Sequence, residues 1–157
     1  MIKIRKFRIG DTKKTTNLIS SVFGKFNSRE GSKEAVQKYI NFYDPKKSNI
    51  ERIKNNFIKS PIFFIAVNEG KIVGAIRGAG DRIINLFVDG EYHKQGIGKK
   101  LVEKFEKEAK NCGSKRIKIR ASLFAVKFYE KIGYKKTTGI RLFGGLKIQP
   151  MMRYLLD

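Results

Sequence analysis

Ile83-Ile84-Asn85-Leu86-Phe87-Val88-Asp89-Gly90-Glu91-Tyr92-His93-Lys94-Gln95-Gly96-Ile97-Gly98-Lys99-Lys100-Leu101-Val102 joins an apolar run, a polar turn and a helix start in one stretch. The run from Ile83 to Val88 predicts a strand buried on both faces. Beyond the glycines, Leu101, Val102, Phe105, Ala109 and Cys112 recur at helical spacing and predict one apolar face. The opposite face carries Glu103 with Lys107, Glu106 with Lys110 and Lys104 with Glu108, the first two in the better Glu-first order. Strand, glycine turn and helix make a phosphate cradle. The first amides of a helix lack internal partners and sit at its positive end, so they bind anions. Gly96 and Gly98 remove side chains that would hold a diphosphate off that backbone.

A lone Gly-x-Gly also serves tight strand-to-helix connections that bind nothing. Two other phosphate loops are excluded by the residues themselves. Gly-x-x-x-x-Gly-Lys-Ser/Thr is absent, and Gly-x-Gly-x-x-Gly fails because Leu101 stands at the third glycine. What remains, His93-Lys94-Gln95-Gly96-Ile97-Gly98 after a strand ending in Val88-Asp89 and followed by Tyr92, resembles the acyl-CoA signature Gln/Arg-x-x-Gly-x-Gly/Ala of the GNAT superfamily of N-acetyltransferases. A second block, Arg120-Ala121-Ser122-Leu123-Phe124-Ala125-Val126-Lys127-Phe128-Tyr129-Glu130-Lys131-Ile132-Gly133-Tyr134, is similar to that family's Asn-Ala-Ser-x-x-Ala-x-x-Phe-Tyr-Glu-Lys-x-Gly-Phe. Two blocks in order and at the right separation are more specific than either alone. The resemblance is close over Ile83 to Tyr134 and looser elsewhere.

The 157 residues fit a single domain, 1–157, with room for a core. A 41% hydrophobic and 11% aromatic composition argues against disorder. No apolar run approaches the ~18 residues of a membrane span, and the N-terminus lacks the apolar region of a signal peptide. A single cysteine, Cys112, excludes an internal disulfide and fits a reducing, cytoplasmic setting. One cysteine and one histidine leave no zinc or Cys/His catalytic set, so no metal is expected. The net charge of +21 would attract nucleic acid, anionic membranes or acidic partners. The lysines are scattered, however, with no basic block or Arg-rich arm. Nucleic acid and membrane are therefore not the expected partners, and part of the field suits capture of polyanionic CoA.

In chain order, Met1 to Ile9 predicts a first strand. A helix capped by Asp11 or Thr12 follows, with Leu18, Ile19, Val22 and Phe23 inward and an end at Gly24. A loop spans Phe26 to Gly31. Ser32 caps a second helix carrying Ala35, Val36, Tyr39, Ile40 and Tyr43, and a third runs from Ile50 to Lys59. Ile62 to Val67 and Ile72 to Gly78 form a hairpin about Asn68–Lys71. Lys115 to Arg120 is a strand, Leu123 to Ile132 a short helix, and 134–142 with 146–155 a closing hairpin through Gly144-Gly145. The order is β-α-α-β-β-β-α-β-α-β-β, an α/β (α+β) mixed sheet flanked by helices, as in the resembled fold.

The resemblance implies transfer of the acetyl group of acetyl-CoA to a primary amine in a ternary complex. The backbone from His93 through Lys94, Gln95, Gly96, Ile97 and Gly98 would hold the diphosphate, with Lys99 and Lys100 nearby. A bulge in the central strand would present main-chain groups around Leu86, Phe87 and Val88 to pantetheine and the acetyl oxygen. Tyr129 matches the family's tyrosine that protonates the departing sulfur, a role its ordinary pKa near 10 allows. Packing is the alternative reading for a tyrosine in such a helix. His93 replaces the usual Gln or Arg; with its amide doing the binding, its ring is expected to have a surface role rather than to act as a base. Arg120 stands where the family often has Asn and could reach a CoA phosphate. Glu30, Glu34 and Asp81 are candidate bases beside helix-cap and solvated-charge alternatives. Phe26, Tyr39 and Phe42 could form an aromatic wall. The closing hairpin is expected at one side of the acceptor cleft or at a dimer contact, in a monomer or homodimer. A small-molecule amine is the favoured acceptor. Protein N-termini or lysines, and a non-catalytic acyl-CoA- or nucleic-acid-binding module, are the alternatives.

Overall fold

A computed structural model describes Met1 to Leu156; Asp157 lies outside the described residues. The chain runs β1 (Ile2–Lys6), a 3-10 turn, α1 (Thr12–Phe26), α2 (Lys33–Tyr43), α3 (Ile50–Ile58), β2 (Ile62–Asn68), β3 (Lys71–Ala79) and β4 (Arg82–Val88). It continues with a second 3-10 turn, α4 (Ile97–Asn111), β5 (Arg116–Ser122), a third 3-10 turn and α5 (Val126–Lys131). Three strands close it: β6 (Lys135–Lys136), β7 (Arg141–Phe143) and β8 (Leu146–Tyr154). The mixed α/β architecture agrees with the sequence reading, but three helices rather than two separate β1 from β2, and the strand expected over 134–142 is divided into β6 and β7. Among the described residues, no helix is long and apolar enough to cross a membrane.

The strands form one sheet in the order β1-β2-β3-β4-β5-β8-β6, with β7 on β8. Neighbours are antiparallel except β4 and β5, which the α4 crossover joins in parallel. One sheet face packs on α4, where Val73, Ile76, Ile83, Leu101, Phe105 and Ile117 make the first core. The other packs on α1 to α3, with Ile19, Ile53, Phe57, Phe63 and Ile65 at the centre of the second. Burying these side chains on both faces is the main stabilising term, on the order of 1.5–3 kcal/mol for each large one.

Caps set the helix starts as their residues suggested. Ser32 Oγ accepts from the Ala35 amide at 3.1 Å, and Asn49 Oδ1 from Glu51 and Arg52. At α1 the Asp11 carboxylate turns instead to the Arg8 amide and, through both oxygens, to Arg5 at 2.8 and 2.9 Å. That helix does not end at Gly24 as expected but continues to Phe26. The first strand is shorter than expected and ends at Lys6.

Three further expectations are corrected. The helix face drawn through Cys112 stops at Ala109, since Cys112 is the exposed C-cap of α4. Glu106 is not on the solvent face. It is buried, accepting a hydrogen bond from the Tyr134 hydroxyl (2.8 Å) and an ion pair from Arg153. The central strand is not buried on both faces: Ile84 is 46% exposed, and Leu86 to Val88 are half-buried. Space, rather than side chains, fills the flanks of β4.

Candidate active site

That space opens because β4 and β5 part almost as soon as they meet. Their parallel register holds only at Arg82–Lys118 and Ile83–Ile119. On its other edge β4 stays bonded to β3 as far as Gly74–Val88, with a register break between Arg77–Asn85 and Gly78–Ile83 that leaves Ile84 as the extra residue. The strand thus carries a bulge, three residues before Phe87. Past it, the β4 edge facing β5 has no strand partner.

Two cavities occupy the wedge. The larger, about 600 Å³, lies over the glycine turn and is lined by Leu86, Phe87, Val88, His93, Lys94, Gly96, Ile97, Gly98 and Lys99 from one side. Phe26, Ser122, Phe124, Ala125 and Phe128 line the other. Gly96 is required by conformation: it caps α4 at φ 79°, where a side chain is strained. Gly98 is required by space, since a Cβ there would come within 3.2 Å of the Phe128 ring. No side chain caps α4, and its first internal bond is from the Lys100 amide to the Gly96 carbonyl. The amides of Ile97, Gly98 and Lys99 are left at the positive end of a fifteen-residue helix beside the cavity. The arrangement can hold a diphosphate at one end and an apolar arm along Val88, Phe124 and Phe128.

The smaller cavity, about 260 Å³, lies over the sheet under α1 and α2. It shares Asn27, Leu86, Phe87, Ser122 and Ala125 with the larger one, so the two meet in the gap between the strands. Tyr129 lines the smaller cavity with its ring buried to 2% exposure, edge-on to Phe128 and Tyr134. Burial pushes its phenol above the ordinary tyrosine range, which keeps it protonated at neutral pH. Tyr134, by contrast, is committed to Glu106. Glu30 is the one carboxylate lining the smaller cavity among the described residues. It is buried, accepting from the Asn27 side-chain amide and, at 3.1 Å, from the Phe124 backbone N–H.

Behind this cavity stands a polar network that sequence reasoning missed. Arg77 of β3, 6% exposed, donates to Asn85 Oδ1 at 2.6 Å, to the Tyr43 hydroxyl at 3.0 Å and to Ser60 Oγ at 3.0 Å. Asn85 in turn donates to the Tyr39 hydroxyl at 3.2 Å. Tyr39, Tyr43 and Asn85 all line the cavity. The signal was an Arg and an Asn inside two apolar strands, where buried polar groups need partners.

The remaining candidates separate by position. Gln95 is exposed and reaches back to the Glu91 carbonyl. Arg120 lines the smaller cavity, stacked at 4.3 Å on the Phe143 ring, away from the glycine turn. The His93 ring is not a surface group: Nε2 lies 2.7 Å from the Val88 carbonyl, and the ring packs on Phe26. Glu34 is exposed in the first turn of α2, and Asp81 faces Arg116 and Lys118. Of the expected aromatic wall, Tyr39 lines the smaller cavity and Phe26 the larger; Phe42 packs on Tyr43 and under Arg52. The closing hairpin seals one side of the smaller cavity with Phe143, Leu146 and Ile148. It is tied down by the Lys147 amide donating to the Glu30 carbonyl at 2.7 Å.

A search by sequence among curated proteins found no match. Solved structures share the whole fold. A GCN5-related N-acetyltransferase of Rhodopseudomonas palustris superposes with a TM-score of 0.81 at 20% identity, over 98% of this chain and 95% of that one. The PaiA N-acetyltransferase of Thermoplasma acidophilum, solved with coenzyme A, gives 0.76 at 21% identity over 99% of both chains. A GNAT-family acetyltransferase of Staphylococcus aureus Mu50 gives 0.74 at 20%, over 99% and 100%. The model of the family described as Acetyltransferase (GNAT) domain matches residues 27–155. With that match over most of its length, the chain belongs to the GNAT acetyltransferase family.

Proposed function

We propose that the protein moves the acetyl group of acetyl-CoA to the primary amine of a small molecule by direct transfer in a ternary complex. Acetyl-CoA is the cosubstrate, in keeping with the family and with the coenzyme A complex of the Thermoplasma neighbour. One observation carries the reading: two cavities of different make meet in the β4–β5 gap beside a protonated tyrosine. The diphosphate sits on the free amides of Ile97, Gly98 and Lys99, with Lys94 and Lys99 adding charge. Pantetheine follows the wedge past Val88 and Phe128, and the thioester reaches the junction at Leu86, Phe87 and Ser122.

The acceptor enters the smaller cavity as an ammonium and gives a proton to Glu30, the carboxylate that faces it. The nitrogen lone pair attacks the thioester carbonyl, whose oxygen is held by β4 main-chain amides left free of strand partners. Collapse breaks the C–S bond, and the thiolate takes the Tyr129 phenolic proton. The proton shed by the new amide nitrogen restores the phenol, and Glu30 gives the proton it took from the ammonium to solvent, so CoA thiol and acetamide leave with the site reset.

The small cavity, closed on one side by the β7–β8 hairpin, favours a compact acceptor over a passing polypeptide. Thiol release from acetyl-CoA, screened across small amines, polyamines, aminoglycosides and peptides, tests this. Turnover with small amines supports the reading. Turnover confined to peptides redirects it to protein acetylation, and absence of acyl-CoA binding overturns it.

A further inference from the structure

The smaller cavity has more positive charge than its own residues balance. Arg82, Arg120 and Lys147 line it against the single carboxylate of Glu30. Arg82 on β4 and Arg120 on β5 come from neighbouring strands, each close to the two pairs that hold those strands together. Among the described residues, neither has a carboxylate within ion-pair distance. Asp81, next to Arg82, is engaged by Arg116 at 3.6 Å and Lys118 at 3.5 Å. The Arg120 guanidinium instead lies over the Phe143 ring, 4.3 Å from its centroid. Burial, and then the charge of Arg120, hold the Arg82 guanidinium below its ordinary value, with Asp81 opposing weakly.

Behind the same wall lies the third guanidinium, Arg77. Its partners are Asn85, Tyr43 and Ser60, all neutral, and a Phe57 ring at 5.0 Å. An arginine cannot neutralise itself by losing its proton. A buried charge without a counter-charge is costly, and its field falls on whatever occupies the cavity that Asn85, Tyr39 and Tyr43 line. Three cationic guanidiniums on one sheet face, one buried and two lining the cavity, make its field favour an anionic occupant.

We propose that the acceptor is an amine that carries a carboxylate, bound by the unpaired guanidiniums of Arg82 and Arg120 while its amino group is directed to Glu30 at the strand gap. The inference rests on the acetyl-transfer reading and adds the acceptor's charge to it. Planar guanidinium forks match a carboxylate bidentately. The spacing is set by the strands. Arg120 is two residues from Ser122 and Arg82 four from Leu86, or about 7 and 13 Å of backbone at ~3.3 Å per residue. Long side chains shorten that reach, so the anion lies a few bonds or more from the amine. Polycationic amines are disfavoured by the same field.

The test uses the purified full chain and thiol release from acetyl-CoA at fixed ionic strength, with rates compared per concentration of the ammonium form that enters the cavity. Glycine, β-alanine and γ-aminobutyrate are each paired with their carboxamides, and spermidine serves as the polycation. The expected result is an acid preferred over its carboxamide by tenfold or more in kcat/KM, with that preference reduced to about one in Arg82→Gln and in Arg120→Gln. Overturning results are carboxamides or spermidine used as well as the acids, no acid used at all, or an acid preference that survives both substitutions. Calorimetric titration of acetyl-CoA separates the two levels. Lost acetyl-CoA affinity in the native chain sinks acetyl transfer itself, whereas retained affinity without acid preference sinks the anionic acceptor alone.

Discussion

The two cavities beside β4 differ in what they are made of. The larger is a backbone device: a left-handed glycine, a close glycine contact with Phe128 and the open amides of one helix start. The smaller is a side-chain device, assembled from α1, α2, β4, β5 and β8, with a buried arginine network behind it. A backbone device recognises what every acyl-CoA shares. A side-chain device recognises what distinguishes one amine from another. Family membership therefore speaks for the first cavity, and the chain's own charges speak for the second.

Tyr129 lines the smaller cavity, and its substitution should have the largest effect. Tyr129→Phe keeps the ring packing against Phe128 and Tyr134 and removes only the phenolic hydroxyl. Turnover should fall about 100-fold or more, the usual range for a lost general acid, while acetyl-CoA affinity holds within about threefold; stopped-time thiol release and calorimetry measure the two. Gly98→Val breaks the first cavity alone. The added branches press on Phe128, which already sits 3.2 Å from a Cβ, and acetyl-CoA should bind about 30-fold more weakly, roughly 2 kcal/mol. Glu30→Gln breaks the second alone: acceptor kcat/KM should drop about tenfold, or ~1.4 kcal/mol, with acetyl-CoA affinity unmoved. A fall in acetyl-CoA affinity there would merge the two cavities into one.

The smallest effect lies outside both. Asp11 ties β1 to the start of α1 through Arg5 and the Arg8 amide. The Arg5 hydrogen bonds hold its carboxyl below the ordinary value. A folded-state pKa lower than the unfolded one stabilises above the unfolded value near 3.9, and the contribution is lost as pH falls from there through the folded value. Asp11→Asn should thus lower stability by about 1 kcal/mol at neutral pH, with the deficit shrinking below pH ~4. Urea titrations at the two pH values check it, and neither cavity's function should change.

Legibility followed the same division. The glycine turn could be read because its chemistry is local: strand, turn and helix lie within twenty consecutive residues, and two glycines mark where backbone is exposed. The smaller cavity was read only in pieces: Glu30, Tyr39, Arg120 and Tyr129 were named one by one, while Arg77 and Asn85 were missed, because these residues are brought together only by the sheet order. Glu106 was misplaced for the same reason: its partners Tyr134 and Arg153 lie 28 and 47 residues away, and helical spacing cannot register them. The central strand looked doubly buried because Ile, Leu, Phe and Val are also what lines a cavity, and a hydrophobic run cannot tell a filled flank from an open one. His93 departed from expectation through a single bond to Val88, five residues back.

A crystal structure of the chain with CoA reaches the central claim most directly. The account predicts the diphosphate on the amides of Ile97, Gly98 and Lys99, pantetheine between the parted strands, and the sulfur within hydrogen-bond reach of the Tyr129 hydroxyl. CoA seated elsewhere, or a sulfur turned away from Tyr129 with the smaller cavity cut off from it, would contradict it.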